Sequence, residues 1–552
     1  MNFKNLINLR IILLISFLFL FLSYIPNIYE ASLVNKVASD RTMIWGEHVY
    51  TYDYNAYLSK IKQGQEGRWS IVDKYDNNIN QKGAFLQMLY LLSGKIGALL
   101  QLNPALSFHL LRTVLSVVWI LTIIFINIHF LKKPVLYFWG ILISLLASSF
   151  PIFFSMDGQP WVGYYMSWWT EMDVLKRISY LPHYTLNYII IAVLTILLDF
   201  YGRTYKIKYY YPIAVILFFS FFIHPAASLL FLISWTIFFL IKFFWLKQDK
   251  QQLYKIIFET CALVVISLIP VLYLRSITLN YPWKSLVEFD QNNRIIMPVK
   301  DYLLTLGPVL ITGTIAVVYV LIKKKTGLLS LTTWFISAFI GIFLFKFFPL
   351  QSELRFVQTA NHIPLSILTV YLGFELINKF KKAWVKKTVY GVLGLTIALG
   401  IVQTIYSLKS QMFFIHQRAV ATLPLVPYPS QVMHPLKDFA NGLIWLEKNT
   451  PRNSVVLSKI TAGNYIPAYS GNFVYFGHNG ETPQYAERQN NVNWFFSGQM
   501  SPEKAKNFLH EEKISYIFYG PQEKDNAVED INRYNFLEPV FQSNYVTIFK
   551  AM

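Results

Sequence analysis

The chain has 552 residues, of which 54% are hydrophobic and 14% charged; its mean hydropathy is +0.39. An ordinary soluble domain carries about 25% charged residues, so that class is excluded, and apolar runs of about 20 residues, enough to cross roughly 30 Å of hydrocarbon as helices, mark a polytopic membrane protein. The net charge of +19 lies largely in short loops between those runs, where it signals topology and not a nucleic-acid partner.

In chain order, Lys4 and Arg10 precede an apolar run over 11–25 with no small-residue cleavage site after it, which reads as a retained signal-anchor. Eleven spans are expected, with cores near 11–25, 111–131, 135–154, 185–200, 211–223, 227–246, 256–274, 303–322, 328–346, 363–378 and 388–407. The segment 85–102 is broken by Gly94 and Gly97 and followed by Asn103-Pro104, so it reads as interfacial or re-entrant. The lone Cys261 lies in an apolar run, which leaves no intramolecular disulfide.

Basic residues decide the orientation. With the N-terminus in the cytoplasm, every inner loop is short and basic: Lys132 and Lys133; Arg203, Lys206 and Lys208; Lys247, Lys250 and Lys255; Lys323, Lys324 and Lys325; then Lys379, Lys381, Lys382, Lys386 and Lys387. The expected arrangement is a multi-pass cell-membrane module over 1–409, with outer loops 27–110, 155–184, 275–302 and 347–362, and an extracytoplasmic α/β domain over 410–552. In that tail "KDFANGLIWLEKN" has helical spacing at Phe439, Leu443 and Leu446. "SVVLS", "NFVYFG", "ISYIFYG" and "YVTIFK" read as strands, and Ser501-Pro502 opens a helix.

The outer segments carry the chemistry. The first holds Asp53, Tyr57, Gly64, Gly67 and Trp69; the second holds Asp157, Glu171, Asp173, Arg177 and His183. A turn adds His224-Pro225, and "FFPLQSELRFVQTANH" adds Glu353, Arg355 and His362. Acids transfer protons and arginine forks grip phosphate oxygens. Each residue also has a plain structural reading. Asp53 suits an N-cap before the helical run through Leu58 and Ile61 as well as it suits a base or metal ligand. Glu171 and Asp173 suit a solvated ion cluster with Lys176 and Arg177. Trp168, Trp169 and the tyrosines suit an interfacial aromatic belt, His224-Pro225 a span-to-span turn, and Glu353 a partner for Arg355, a cation at a span edge. In the tail, His478 and Glu481 of "GHNGE" are candidates to line a recognition site. No Walker loop, dinucleotide fingerprint, nucleophile elbow or zinc spacing occurs.

"DYNAYLSKIKQGQEGRW", "FHLLR", "RISYLPHYTLN", "HPAAS" and "ELRF", with "WLEKNTP", "AYSGNFVYFGHNGET" and "FF" in the tail, resemble stretches in a bacterial branch of the GT-C class of integral membrane glycosyltransferases. The resemblance implies a GT-C-like polytopic α-helical fold and inverting transfer of a sugar from a polyprenyl-phosphate donor to a glycan, lipid or protein acceptor on the extracytoplasmic face. It implies Asp53 as an active-site acid and candidate base, with a second-loop acid among Asp157, Glu171 and Asp173. It implies Arg355, then Arg177, on the donor phosphate, and Tyr57, Trp69, His183, His224 and Glu353 around the substrates. The first loop lacks the Asp-X-Asp of better-known branches, which leaves a divalent cation, Mg or Mn, an open question. A transporter or flippase for a lipid-linked or polar substrate, and a non-catalytic envelope assembly protein, are the rival readings. The former calls for central membrane charges and matched broken helices.

Overall fold

The computed structural model describes residues 3–551 apart from 157, 247–249, 348–351, 429–431 and 526. Among them eight helices are long and apolar enough to cross a membrane: Arg10–Ser32, Pro104–Leu131, Pro182–Thr204, Pro225–Leu246, Lys250–Ile277, Thr326–Phe347, His362–Phe380 and Ala383–Val420. The pair Val299–Thr305 and Pro308–Ile322, bent by 91°, makes a ninth if it is counted as one broken span and not as a re-entrant loop. The bend sits on Gly307, at φ 60 and ψ −148, a region open essentially to glycine alone. A Cβ there would also strike the Ser148 carbonyl.

The count is therefore eight or nine in place of eleven. The run expected to span 135–154 stops as the 13-residue helix Pro134–Leu146, about 20 Å at 1.5 Å per residue, and then becomes extended. The run at 211–223 belongs to the 17-residue helix Ile207–Ile223, also short of roughly 30 Å. Segment 85–102, expected not to span, is the 12-residue helix Met88–Leu99.

By its contacts the chain falls into two compact units. One comprises Met1–Pro26, Arg112–Leu272 and Ile295–Ser410; the other comprises Asn27–Leu111, Tyr273–Arg294 and Gln411–Met552. Residues Asn27–Leu111 share their unit with Gln411–Met552.

The first unit has a core that includes Trp119 and Trp334, both fully buried. Phe244, Phe258 and Val265 point outward, each more than half exposed, as side chains facing lipid do. After Leu146 the chain forms an antiparallel hairpin, β1 (Pro151–Met156) against β2 (Gln159–Tyr164), with Pro151 opposite Tyr164.

The second unit holds a mixed five-stranded sheet of β3 (Val455–Leu457), β4 (Phe473–Val474), β5 (Ile514–Tyr519), β6 (Leu537–Gln542) and β7 (Thr547–Ala551), ordered β4-β3-β5-β7-β6. β3 pairs parallel with β4 and β5; β7 pairs antiparallel with β5 and β6. The predicted helix Lys437–Asn449 buries Phe439, Leu443 and Leu446, and the Ser501 hydroxyl caps Pro502–Glu511 by accepting from the Lys504 N–H at 3.3 Å. Helix Thr51–Gln65 crosses helix Met88–Leu99 at two glycines: a Cβ on Gly64 would meet the Leu91 carbonyl, and one on Gly94 the Ile61 carbonyl.

Candidate functional site

In the first unit three segments far apart in sequence meet. Thr170–Met172 forms one 3-10 turn that holds Glu171 in the interior, 5% exposed. The Gln358 side-chain amide donates to Glu171 Oε1 at 3.4 Å, and the Thr170 hydroxyl donates to Oε2 at 3.3 Å. Burial is the largest influence on this carboxyl and pushes it up to about 7, against the opposing pull of Arg355.

His224 lies between helices Ile207–Ile223 and Pro225–Leu246. Its Nδ1 accepts from the Ala227 N–H at 3.3 Å, which leaves the ring proton on Nε2, 3.5 Å from Gln358 Oε1. Burial first, and the Arg355 charge second, hold this imidazole down to about 4, so it is neutral at physiological pH. Arg355, half-buried on the short helix Leu354–Val357, donates to the Tyr184 hydroxyl at 3.0 Å. The Tyr184 ring lies 4.1 Å from the His183 ring and 5.9 Å from that of His224. Glu171, His183, His224 and Arg355 are thus gathered around Gln358 and Tyr184. Glu353 accepts the Met297 N–H at 3.2 Å.

Asp173 and Arg177 are occupied differently. Asp173 Oδ1 accepts from the N–H groups of Leu175 and Lys176, at 2.9 and 3.0 Å, and from the Ser407 hydroxyl at 2.8 Å. This arrangement opens the short helix Lys176–Ser179. Arg177 donates to the Leu145 carbonyl at 2.8 Å and shares with Glu171 and His362 the lining of a narrow hollow. Its desolvation lowers the guanidinium to about 10. Asp157 lies outside the described residues.

In the second unit Asp53 sits in the first turn of Thr51–Gln65, whose N-cap is Tyr50. The capping role read from sequence is therefore not the one it has. Its half-exposed carboxylate Oδ1 lies 3.4 Å from His478 Nε2. His478 Nδ1 accepts the Gly480 N–H at 3.1 Å, so the ring proton faces Asp53. Tyr52 stacks on this imidazole at 4.5 Å, and its hydroxyl accepts the Asn479 N–H at 2.7 Å. Glu481 pairs with Lys60 at 2.6 Å, both side chains buried. Tyr57 turns inward and stacks on Tyr90 at 4.3 Å. Trp69 is exposed, with Lys95 Nζ 3.9 Å from its ring centre.

Gln358 and Tyr184 were missed from sequence, although polar side chains inside otherwise apolar stretches are the signal that finds them. Among the described residues no group of three or more His, Cys, Asp or Glu side chains is arranged to hold a metal ion.

No protein-family model and no curated protein matches the sequence. Solved structures do match by shape. The apo oligosaccharyltransferase of Archaeoglobus fulgidus aligns over 94% of this chain and 72% of its own, with TM-score 0.52 and 12% identity. The archaeal oligosaccharyltransferase AglB from Archaeoglobus fulgidus, in complex with an inhibitory peptide and a dolichol-phosphate, aligns over 91% and 69%, with TM-score 0.51 and 11% identity. ArnT from Cupriavidus metallidurans, bound to undecaprenyl phosphate, aligns over 98% and 97%, with TM-score 0.49 and 10% identity. At identities this low the likeness is one of fold, and on the first two matches the chain has the fold of the GT-C membrane glycosyltransferases.

Proposed function

We propose that this protein transfers a sugar from a polyprenyl-phosphate-linked donor to an acceptor at the extracytoplasmic membrane face, inverting the anomeric carbon. The observation that carries the reading is the gathering of Arg355, Glu171, His183 and His224 from three separate segments into one buried polar neighbourhood. The GT-C fold, shared with an oligosaccharyltransferase whose structure holds a dolichol-phosphate, supports the donor class.

The chemistry follows from what each group can do. The acceptor hydroxyl gives its proton to the Asp53 carboxylate as its oxygen bonds to the anomeric carbon. The carbon–oxygen bond to phosphate breaks on the opposite side, and the electron pair leaves on the polyprenyl phosphate. Arg355 meets that developing charge with a fixed guanidinium in a site of low dielectric. Glu171, poised near neutrality by burial, donates a hydrogen bond to the sugar in its protonated form. The His478 ring, 3.4 Å from the Asp53 carboxylate, fixes its position. The basic inner loops support the orientation, with the sheet domain outside the cytoplasm.

The test is turnover of a radiolabelled polyprenyl-phosphate sugar by the purified full-length protein with candidate acceptors. Release of polyprenyl phosphate coupled to glycosylated acceptor is expected. Movement of intact donor across vesicles without bond cleavage would make the protein a flippase.

A further inference from the structure

Away from these residues, helix ends at the lysine-rich face of the first unit enclose an open cavity of about 460 Å³. That volume lies within the range of small-ligand sites. Five cations line it: Lys132, Lys133, Arg203, Lys324 and Lys325. Two of them are already matched. Arg203 pairs with Asp199 at 2.7 Å, and Lys325 lies 3.8 Å from Glu375, the acid on the cavity wall. Lys132, Lys133 and Lys324 are exposed and make no ion pair among the described residues. They come from two loops, one joining Pro104–Leu131 to Pro134–Leu146 and the other following Pro308–Ile322. Phe130, Leu136 and Phe374 add apolar surface to the same lining.

We infer that this cavity binds the phosphate headgroup of an anionic phospholipid drawn from the leaflet at that face. Three uncompensated ammonium groups converging from two loops match a phosphodiester. The apolar part of the lining receives the glycerol and first acyl carbons, which a free phosphate would leave uncovered. Loop lysines that only set topology have no reason to share a cavity. The spans whose ends form the rim also carry His183 on Pro182–Thr204 and Tyr371 on His362–Phe380, so headgroup occupancy would brace the membrane helices at their charged ends.

The experiment uses full-length protein in neutral detergent, titrated with phosphatidylglycerol, phosphatidylcholine or inorganic phosphate and read by native mass spectrometry. The pocket variant combines Lys132→Gln, Lys133→Gln and Lys324→Gln. A charge-matched control combines Lys381→Gln, Lys382→Gln and Lys387→Gln on the same face. Each juxtamembrane lysine contributes about a fivefold factor, so the pocket variant is expected to lose phosphatidylglycerol affinity on the order of 100-fold. The control is expected to keep it, and lysine-to-arginine changes in the pocket are expected to retain binding. Equal binding of the two lipids, equal loss in pocket variant and control, or inorganic phosphate binding as tightly as phosphatidylglycerol would each overturn the inference.

Discussion

The His478 imidazole faces the Asp53 carboxylate across 3.4 Å, with its tautomer set by the Gly480 N–H on the far nitrogen. An acid in the first turn of one helix and a ring from a loop more than four hundred residues later thus form a pair inside one compact unit. The local arrangement resembles a carboxylate held for proton abstraction, and it makes the first prediction. Asp53→Asn removes the base and is expected to lower kcat by about 10²- to 10⁴-fold with donor binding unchanged. His478→Ala leaves the carboxylate without its ring neighbour, so kcat is expected to fall with the melting temperature unchanged. Loss of activity together with a lowered melting temperature would make His478 a structural residue.

Arg355 makes the second prediction. A charge-assisted hydrogen bond is worth about 1.5–3 kcal/mol, so Arg355→Ala is expected to raise the donor KM by about 10- to 100-fold and leave the acceptor KM unaltered. Arg355→Lys recovers part of the loss, since an ammonium keeps the charge without the planar fork. Equal increases for both substrates would assign Arg355 to folding, through its bond to Tyr184.

Glu171 gives the third. Burial raises its carboxyl from an ordinary 4.5 to about 7 in the folded protein, so between those values the native state holds a proton that the unfolded chain releases. Stability linked to this group is therefore present below about pH 4.5 and lost as pH rises through about 7. Glu171→Gln is expected to flatten the fall in melting temperature between roughly pH 4.5 and 7, measured on the detergent-solubilised protein. An unchanged slope would remove Glu171 as its source.

The fourth concerns the helix crossing beneath Asp53. Gly94→Ala places a methyl group against the backbone carbonyl of Ile61, where neither partner is a side chain that can swing away. Overpacking of this kind costs about 1–3 kcal/mol, so earlier unfolding by circular dichroism is expected. Gly67 has open space around the same construction, although its φ of 92 strains any side chain there.

Periodicity and punctuation carried much of the fold. Four of the sheet strands, helix Lys437–Asn449 and the Ser501 cap were legible because burial and capping act locally. β6 was not: "LEPVFQ" carries a proline and outward-facing residues, which an edge strand tolerates but alternation does not advertise. Two of the expected spans are helices of only 13 and 17 residues, because hydropathy measures apolar content and not where a helix stops. Pro134–Leu146 ends in an apolar run that continues into β1. In the candidate site, Glu171, His183, His224 and Arg355 were legible as chemistry clustered in the expected outer segments. Their meeting through Gln358 and Tyr184 was not, since long-range packing leaves no mark in local spacing. The glycines that seemed to break 85–102 turned out to make a close helix contact.

The account rests on donor recognition by Arg355. Its most direct measurement is an experimental structure of the full-length protein with a non-cleavable polyprenyl-phosphate sugar bound. The predicted result has donor phosphate oxygens within about 3 Å of the Arg355 guanidinium. A phosphate seated elsewhere, away from the Arg355 guanidinium, would contradict it.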